Sequence, residues 1–439
     1  MMQESRRVTV ADILCARDER AAKQAALLEK HAVPLVSFTM NIAGDIKTDT
    51  LIERAFLEGV RLINRQLERM RVHVDHFEQH IAFTGCEALW AAKSDASQLK
   101  ERMCAIEETH ELGRLFDIDV IDADGTHLSR GAERICLICG SPVRACARSR
   151  AHSGEELYQK ARKIISEFFA QSYARKVGET AQRALLWEAL TTPKPGLVDA
   201  ENSGAHSDMD LFSFADSACA LRSYFEKCVL LGMQNAELTR LQFEGMQAED
   251  DMLRAARANT HKGAVFSLGI LCYAVGNCGE GAEQEAVLQK TAEMGSGFLA
   301  QMQKAAQSTT GGEQQYQLYG LTGARGEAAS GYASVTHTAL PALRKALEDG
   351  KPLQEAGLHA LTTLMAQVKD SNIIRRVGME GQQWVTQQAQ KLLEEGVTIP
   401  KLRELDRLFI ERGISPGGSA DLLAVTYFLH FWQQGGKNA

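Results

Sequence analysis

QSYARKVGET, residues 171–180, decides the fold, because the periodicity of the chain changes across it. Before it, apolar runs of strand length alternate with helical segments. After it, strand signals nearly vanish and apolar residues return at helical spacing. The upstream pattern gives helices over 11–30, 51–71 and 96–108, an apolar run over 34–40, a β-rich run around 80–83 and a strand over 113–120. That strand, GRLFDIDV, alternates apolar and charged residues before the turn signal DADG, so one of its faces is charged. Downstream, helical periodicity covers 180–190, 211–231, 237–258, 262–275 and 353–368. The expected architecture is two domains: an N-terminal α+β domain, residues 1–176, and an all-α C-terminal domain, residues 177–439.

Composition agrees with two folded domains. At 439 residues the chain exceeds what one hydrophobic core usually organises, and 45% hydrophobic with 24% charged residues is ordinary for globular proteins. The N-terminus, MMQESRRVTVADILCARDER, has no apolar run after its arginines, so a cytoplasmic location is expected. The longest apolar stretch, 263–279, is broken by glycines and is too short to span a membrane comfortably, so it reads as a buried core helix. Ten cysteines at irregular spacing point to reduced thiols. Basic and acidic residues balance in the first half, while the second is acidic and the net charge is -7. Nucleic acid is not the expected partner. Polyphosphates would have to be held by a few placed cations, helix N-termini or Mg²⁺.

In the second half the chemistry-bearing residues sit at glycine-punctuated helix starts. TPKPGLVDAENSGAHSDMD, residues 192–210, places Lys194, Asp199, Asn202, His206, Asp208 and Asp210 in one loop. The spacing of Asp208 and Asp210 suits Mg²⁺, with an acidic helix cap as the alternative. ANTHKGAVFSLG, residues 258–269, opens the apolar helix with His261 and Lys262, a phosphate-binding arrangement or a plain cap. YGLTGARGEAASGY, residues 319–332, offers Arg325 and Glu327; KDSNIIRRVG, residues 369–378, offers Asp370, Asn372 and Arg375. ISPGGSADLLA, residues 414–424, places Gly417, Gly418 and Ser419 before Asp421. Together these junctions favour a polyphosphate site.

In the first half Asp117 and Asp119 point to the same face of a strand, as carboxylates that hold Mg²⁺ do, with an exposed acidic face as the alternative. Arg114 shares that strand; Asn41 and Lys47 follow the apolar run. CLICGSPVRACARSRAH, residues 136–152, spaces Cys136, Cys139, Cys146 and His152 as C-x2-C-x6-C-x5-H, which offers Zn²⁺ four soft ligands. Structural thiols are the competing reading. Arg144, Arg148 and Arg150 in the same run suit phosphate or an acidic carrier protein.

TPKPGLVD, GAHSDMD, NTHKGAVFSLG, YGLTGARGEAASGY and ISPGGSADLLAVT resemble the signature segments of triphosphoribosyl-dephospho-CoA synthases, in family order over about 180–435. ILCARDERAAKQAALL, PLVSFTMNIAGDIK, IEETHELGRLFDIDVIDADG, LSR and CLICG with CARSRAHS resemble apo-citrate lyase phosphoribosyl-dephospho-CoA transferases over about 10–160. The joint resemblance implies a fusion. Its first reaction joins ATP to 3′-dephospho-CoA with release of adenine, giving 2′-(5″-triphosphoribosyl)-3′-dephospho-CoA. Its second moves phosphoribosyl-dephospho-CoA to a serine of the acyl carrier (gamma) subunit of citrate lyase, releasing pyrophosphate. The roles that follow are Mg²⁺ on Asp208, Asp210 and Asp421, and triphosphate neutralised by Lys194, Lys262, Arg325 and Arg375. The general base falls among His206, Asp199 and Glu327, and a second Mg²⁺ sits on Asp117 and Asp119. The rival reading is a metal-dependent N-glycosidic hydrolase fused to a carrier-docking module.

Overall fold

A computed structural model describes residues 6–129, 131, 134–304 and 316–437. Arg130 of the LSR segment lies outside them. The chain divides between Phe169 and Ala170 into two compact units.

The first unit is built on a four-stranded antiparallel sheet in the order β2-β3-β1-β4: β1 Leu35–Met40, β2 His73–Ala82, β3 Gly85–Lys93 and β4 Phe116–Ile121. The β-rich signal near residue 80 is thus the end of a hairpin. Central β1 is buried on both faces, which explains its nearly continuous apolar run. One sheet face packs Val36, Phe38, Trp90, Phe116, Ile118 and Val120 beneath α2 (Thr50–Arg69) and α3 (Ala96–Thr109). Phe38 lies 5.2 Å from Phe56 in a stack and 5.2 Å from Phe116 edge-on. On the opposite face α1 (Val10–His31) buries Leu27 against Leu35, Leu89, Ala91 and Ile121. The stretch expected as a strand over 113–120 begins instead with a 3-10 turn at Gly113–Leu115. Gly113 N–H donates to His110 O there, and the strand proper starts at Phe116.

The remaining helices are α4 (Val143–Ser149), α5 (Gly154–Leu190), α6 (Leu211–Met233), α7 (Leu238–Ala256), α8 (Lys262–Cys278), α9 (Gln284–Lys304), α10 (Gly323–Ala329), α11 (Leu340–Glu348), α12 (Leu353–Gln367), α13 (Ser371–Glu395, kinked at Gly378), α14 (Ile399–Glu411) and α15 (Gly417–Lys437). Among the described residues the second unit contains no strand. QSYARKVGET is not an interruption: α5 runs through it, so the helix expected from Thr180 begins at Gly154. The stretch is polar, but it lacks proline and, with Ala181 just after it, buries Tyr173, Ala174 and Val177 at helical spacing. Polar composition alone does not break a helix. The apolar stretch from Gly263 is helix α8, buried along most of its length as expected. No described helix is long and apolar enough to cross a membrane.

Removing the Phe38 ring, held between Phe56 and Phe116, should destabilise the first unit by about 3–5 kcal/mol. Phe38→Ala is therefore expected to expose buried Cys86 at lower urea concentration. Thiol labelling with peptide mapping reads this, and an unchanged midpoint would contradict the packing described.

Candidate active sites

In the second unit the loop 192–210 is fixed by buried charge. Lys194 is 1% exposed. Its Nζ donates to Glu188 O at 2.7 Å and to Glu188 Oε1 at 2.5 Å, and its backbone N–H donates to Asp199 Oδ2 at 2.7 Å. Asp199 Oδ1 also accepts from Glu201 N–H at 2.7 Å and Asn202 N–H at 3.2 Å. Asp406 of α14 accepts from Gly196 N–H and the Asn202 amide, both at 2.8 Å.

His261 precedes α8. Its Nδ1 lies 2.6 Å from Ser217 Oγ, and its Nε2 is buried without a partner. Burial, and then Lys194, hold the imidazole down to about 3, so it is neutral at ordinary pH. Asp370 caps α13, accepting from Asn372 N–H at 2.9 Å and from Ser419 N–H at 2.8 Å. Asp421 in α15 packs under the start of α8. A Cβ on Gly263 would lie 1.9 Å from its Oδ2, so only glycine admits this approach. Burial raises the Asp421 pKa well above the usual carboxylate range, and Glu188 and Asp370 raise it further. Burial also raises Glu188 and Asp370. Glu327 Oε1 accepts from Ser334 Oγ at 2.7 Å, whereas its Oε2 is buried without a hydrogen-bond partner. Tyr332 feels both Glu327 and Asp421, and its hydroxyl donates to Ser267 O at 3.1 Å.

Residues from the junctions thus lie within electrostatic reach of one another: Lys194 and Asp199 of Glu188, His261 of Lys194, Glu327 and Asp421 of Tyr332, and Asp370, which Ser419 bonds directly, of Asp421. Gly417 lies against Asn372, and Gly418 against Asp370. Other candidates are engaged differently. Asp210 caps α6, accepting from Ser213 N–H and Oγ at 2.9 Å each. Asp208 is exposed, 3.9 Å from His206 Nδ1. His206 Nε2 meets Ser415 Oγ at 2.8 Å. Lys262 pairs with Glu249 at 2.8 Å, Arg375 is exposed, and Arg325 on α10 is half-buried. Among the described residues, Asp208, Asp210 and Asp421 do not form a three-ligand group. Sequence reasoning missed Glu188, whose signal is an acid inside the apolar helix end ALLWEAL, and Arg376. Arg376, not its neighbour, donates to Ala205 O at 3.0 Å and lies 3.3 Å from His206 Nδ1.

In the first unit Asp117 and Asp119 face outward from edge strand β4, opposite Thr39 and Ser37 of β1. The open hydrogen-bonding groups of Ile118 are taken by side chains: Glu107 accepts its N–H at 3.0 Å and Lys100 Nζ donates to its carbonyl at 3.0 Å. Arg134 bridges Glu107 at 2.5 Å and Asp117 at 2.8 Å, and Lys100 lies 4.0 Å from Asp119. Arg114 donates to Ile135 O. On the same sheet face Lys23 of α1 pairs with Glu87 at 2.9 Å and Gln24 donates to Ser37 Oγ at 2.9 Å. Asn41 is exposed. Lys47 donates to Ile42 O at 2.5 Å, and burial lowers its pKa. Ligand atoms of Cys136, Cys139, Cys146 and His152 lie within 4.8 Å of one another.

Residues 174–439 match the family model CitG, ATP:dephospho-CoA triphosphoribosyl transferase. The chain belongs to that family. Residues 8–168 match CitX, apo-citrate lyase phosphoribosyl-dephospho-CoA transferase. Protein CitXG of Haemophilus influenzae is 33% identical over 98% of this chain and 97% of its own length. Protein CitXG of Leuconostoc mesenteroides subsp. cremoris is 32% identical over 96% and 97%. A probable 2-(5''-triphosphoribosyl)-3'-dephosphocoenzyme-A synthase of Salmonella gallinarum is 44% identical over 57% of this chain and 88% of its own length. The CitG-family chain therefore also carries a CitX half and is a bifunctional transferase of citrate lyase prosthetic-group biosynthesis.

The raised Asp421 pKa has a defined consequence for stability. The group's contribution is full below its unfolded pKa, about 4, and is lost as pH rises through its higher folded value. Asp421→Asn removes that loss. In chelator-treated buffer the stability of the variant relative to the parent should therefore rise with pH, read by urea unfolding across a pH series. A pH-independent difference would exclude the shift.

Proposed function

We propose that the helical half, residues 177–439, joins ATP to 3′-dephospho-CoA at the linked carboxylates, and that the α+β half, residues 1–176, transfers phosphoribosyl-dephospho-CoA to the acyl carrier subunit. The observation that carries the first assignment is the convergence of Lys194 on Glu188, of the Gly263 backbone on Asp421 and of Ser419 on Asp370.

The donor chemistry suits Mg²⁺: Glu188, Asp370 and Asp421 offer hard oxygen atoms, although Lys194 is bonded to Glu188 alone and among the described residues the three acids do not gather into one three-ligand group. Asp421 is the central candidate ligand; Asp208 and Asp210, at the loop that leads into α6, do not gather with it. Bound there, Mg²⁺ would supply charge neutralisation of the triphosphate. Lys194 retains one donor beyond its two bonds to Glu188, and His261 Nε2 is free to meet a substrate atom.

In the first reaction the 2′-oxygen of dephospho-CoA bonds to C1′ of the ATP ribose as the bond from C1′ to adenine breaks. The hydroxyl proton passes to a base, and adenine leaves with the bonding electron pair and takes up a proton. The geometry favours Glu327 as that base. Both Asp199 oxygens are engaged by backbone N–H groups, and His206 has its two nitrogens against Ser415 and Arg376. Glu327 Oε2 is unbonded and buried. In the second reaction the carrier serine oxygen loses its proton and bonds to the phosphorus next to the ribose, as the bond from that phosphorus to pyrophosphate breaks and pyrophosphate leaves with the electron pair. Asp117, which also pairs with Arg134, and Asp119 would hold Mg²⁺, which would neutralise charge on the phosphates, and Arg144, Arg148 and Arg150 are suited to an acidic carrier.

Mass spectrometry of apo carrier subunit incubated with the protein, ATP, dephospho-CoA and Mg²⁺ should show the phosphoribosyl-dephospho-CoA adduct. Adenine release without dephospho-CoA would instead favour the hydrolase. Glu327→Gln should lower adenine release by about 10²–10⁴-fold with KM little changed, and a smaller effect removes Glu327 as the base. Asp117→Asn with Asp119→Asn should leave adenine release intact while triphosphoribosyl-dephospho-CoA accumulates, as chromatography of the mixture would report. Carrier modification at the parent rate would remove both aspartates from the transferase site.

A further inference from the structure

The segment from Arg134 to His152 has almost no core. Its buried residues are Cys136 and Cys146, while Ile135, Ile138 and Val143 remain exposed at 46%, 41% and 40%. A lobe this small, with only Leu137 packed against the core of the first unit, requires another source of order. Its backbone is nonetheless organised. Cys136 N–H donates to Ser141 O at 2.7 Å, Val143 N–H to Arg134 O at 2.9 Å, and Gly140 N–H to Cys136 O at 3.2 Å. Gly140 takes a φ of +71°, which closes the turn between the first two cysteines. Inside that turn Ile138 N–H donates to Cys136 Sγ at 3.4 Å. The short helix α4 then delivers Cys146, and left-handed Arg150 (φ 47°) reverses the chain to bring in His152. His152 Nε2 is buried and has no hydrogen-bond partner.

We infer that Cys136, Cys139, Cys146 and His152 bind one structural Zn²⁺ that holds this lobe against the acidic strand. Their ligand atoms lie within 4.8 Å of one another. Bonds of about 2.3 Å to sulfur and 2.0 Å to nitrogen give tetrahedral edges of about 3.8 Å, so a slight contraction completes the site. Four protein ligands leave no open position, which makes the ion structural and not catalytic. Binding releases thiol protons and forms three zinc–sulfur bonds and one zinc–nitrogen bond, without any redox change. The function of the clip follows from what the lobe carries. Arg134, at its start, bridges Glu107 and Asp117, and Ile135 O accepts from Arg114. The ion thereby positions the cation that partners Asp117.

The test uses the full chain purified under reducing conditions without chelator, its metal measured by mass spectrometry and released by an organomercurial in the presence of a zinc-sensitive dye. Stoichiometric zinc is expected, and cobalt substitution should give the intense visible bands of a tetrahedral thiolate site. Cys139→Ser and His152→Ala should each retain zinc at least about tenfold more weakly. Both should keep adenine release, whose residues lie in the other unit, so this result is read independently of the proposed chemistry. Substoichiometric metal after reconstitution of the unsubstituted chain would overturn the site, whether its thiols are reduced or disulfide-bonded. So would a Cys136→Ser, Cys139→Ser double variant that holds as much zinc as its parent.

Discussion

The helical unit depends on the burial of one ammonium group. Lys194, 1% exposed, is held by the carbonyl and carboxylate of Glu188 in the last turn of α5. A charge taken so far from water is tolerable only with a partner, because leaving either member alone costs about 3–5 kcal/mol. The loop 192–210 therefore has little freedom over where it places Lys194. Asp199 fixes the backbone of that same residue, and Asp406 fixes Gly196 and Asn202 farther along. A segment without regular secondary structure is held by carboxylates that accept backbone N–H groups, a role packing alone cannot fill in a loop rich in glycine and polar residues.

The same arrangement leaves charge uncompensated. Glu188 is matched by Lys194, but Asp421 lies within reach of both Glu188 and Asp370, and all three carboxylates have raised pKa values. Such an excess is relieved by a proton or by a cation, and either one restores stability that the apo site at neutral pH forgoes. Natural proteins hold strain of this kind where function repays it elsewhere. A site already short of positive charge gains more from a bound divalent cation than a neutral one would.

How much was legible in the sequence depended on whether neighbouring residues sufficed to decide a feature. The period-two alternation of FDIDV is a local property, and it placed Asp117 and Asp119 on the outward face correctly. Glycine-punctuated helix starts were also local, and Lys194, His261, Glu327, Ser419 and Asp421 do become linked. The continuity of α5 was not legible, because it rests on tertiary burial of Tyr173, Val177 and Ala181. Asp208 and Asp210 looked like a metal pair by spacing, yet the chain turns Asp210 onto the first turn of α6. Glu188 belongs to no motif, and only the fold reveals that it answers Lys194. Of the two arginines in IIRR, spacing could not say which one reaches His206; the structure selects Arg376.

The two halves meet the problem of anionic substrates by different electrostatic means. In the helical unit the carboxylates are desolvated, so each interaction there acts at low dielectric and responds strongly to an added charge. On β4 the acids are 46% and 56% exposed, and solvent screens them. Charge strength on that strand must therefore come from fixed geometry. Glu107 and Lys100 occupy the edge groups of Ile118, and Arg134 bridges Glu107 and Asp117. Each of these partners is itself tethered, Lys100 and Glu107 by α3 and Arg134 by the cysteine lobe. In a near-neutral half, the precision of the acidic face is thus set by the rigidity of its surroundings and not by its charge.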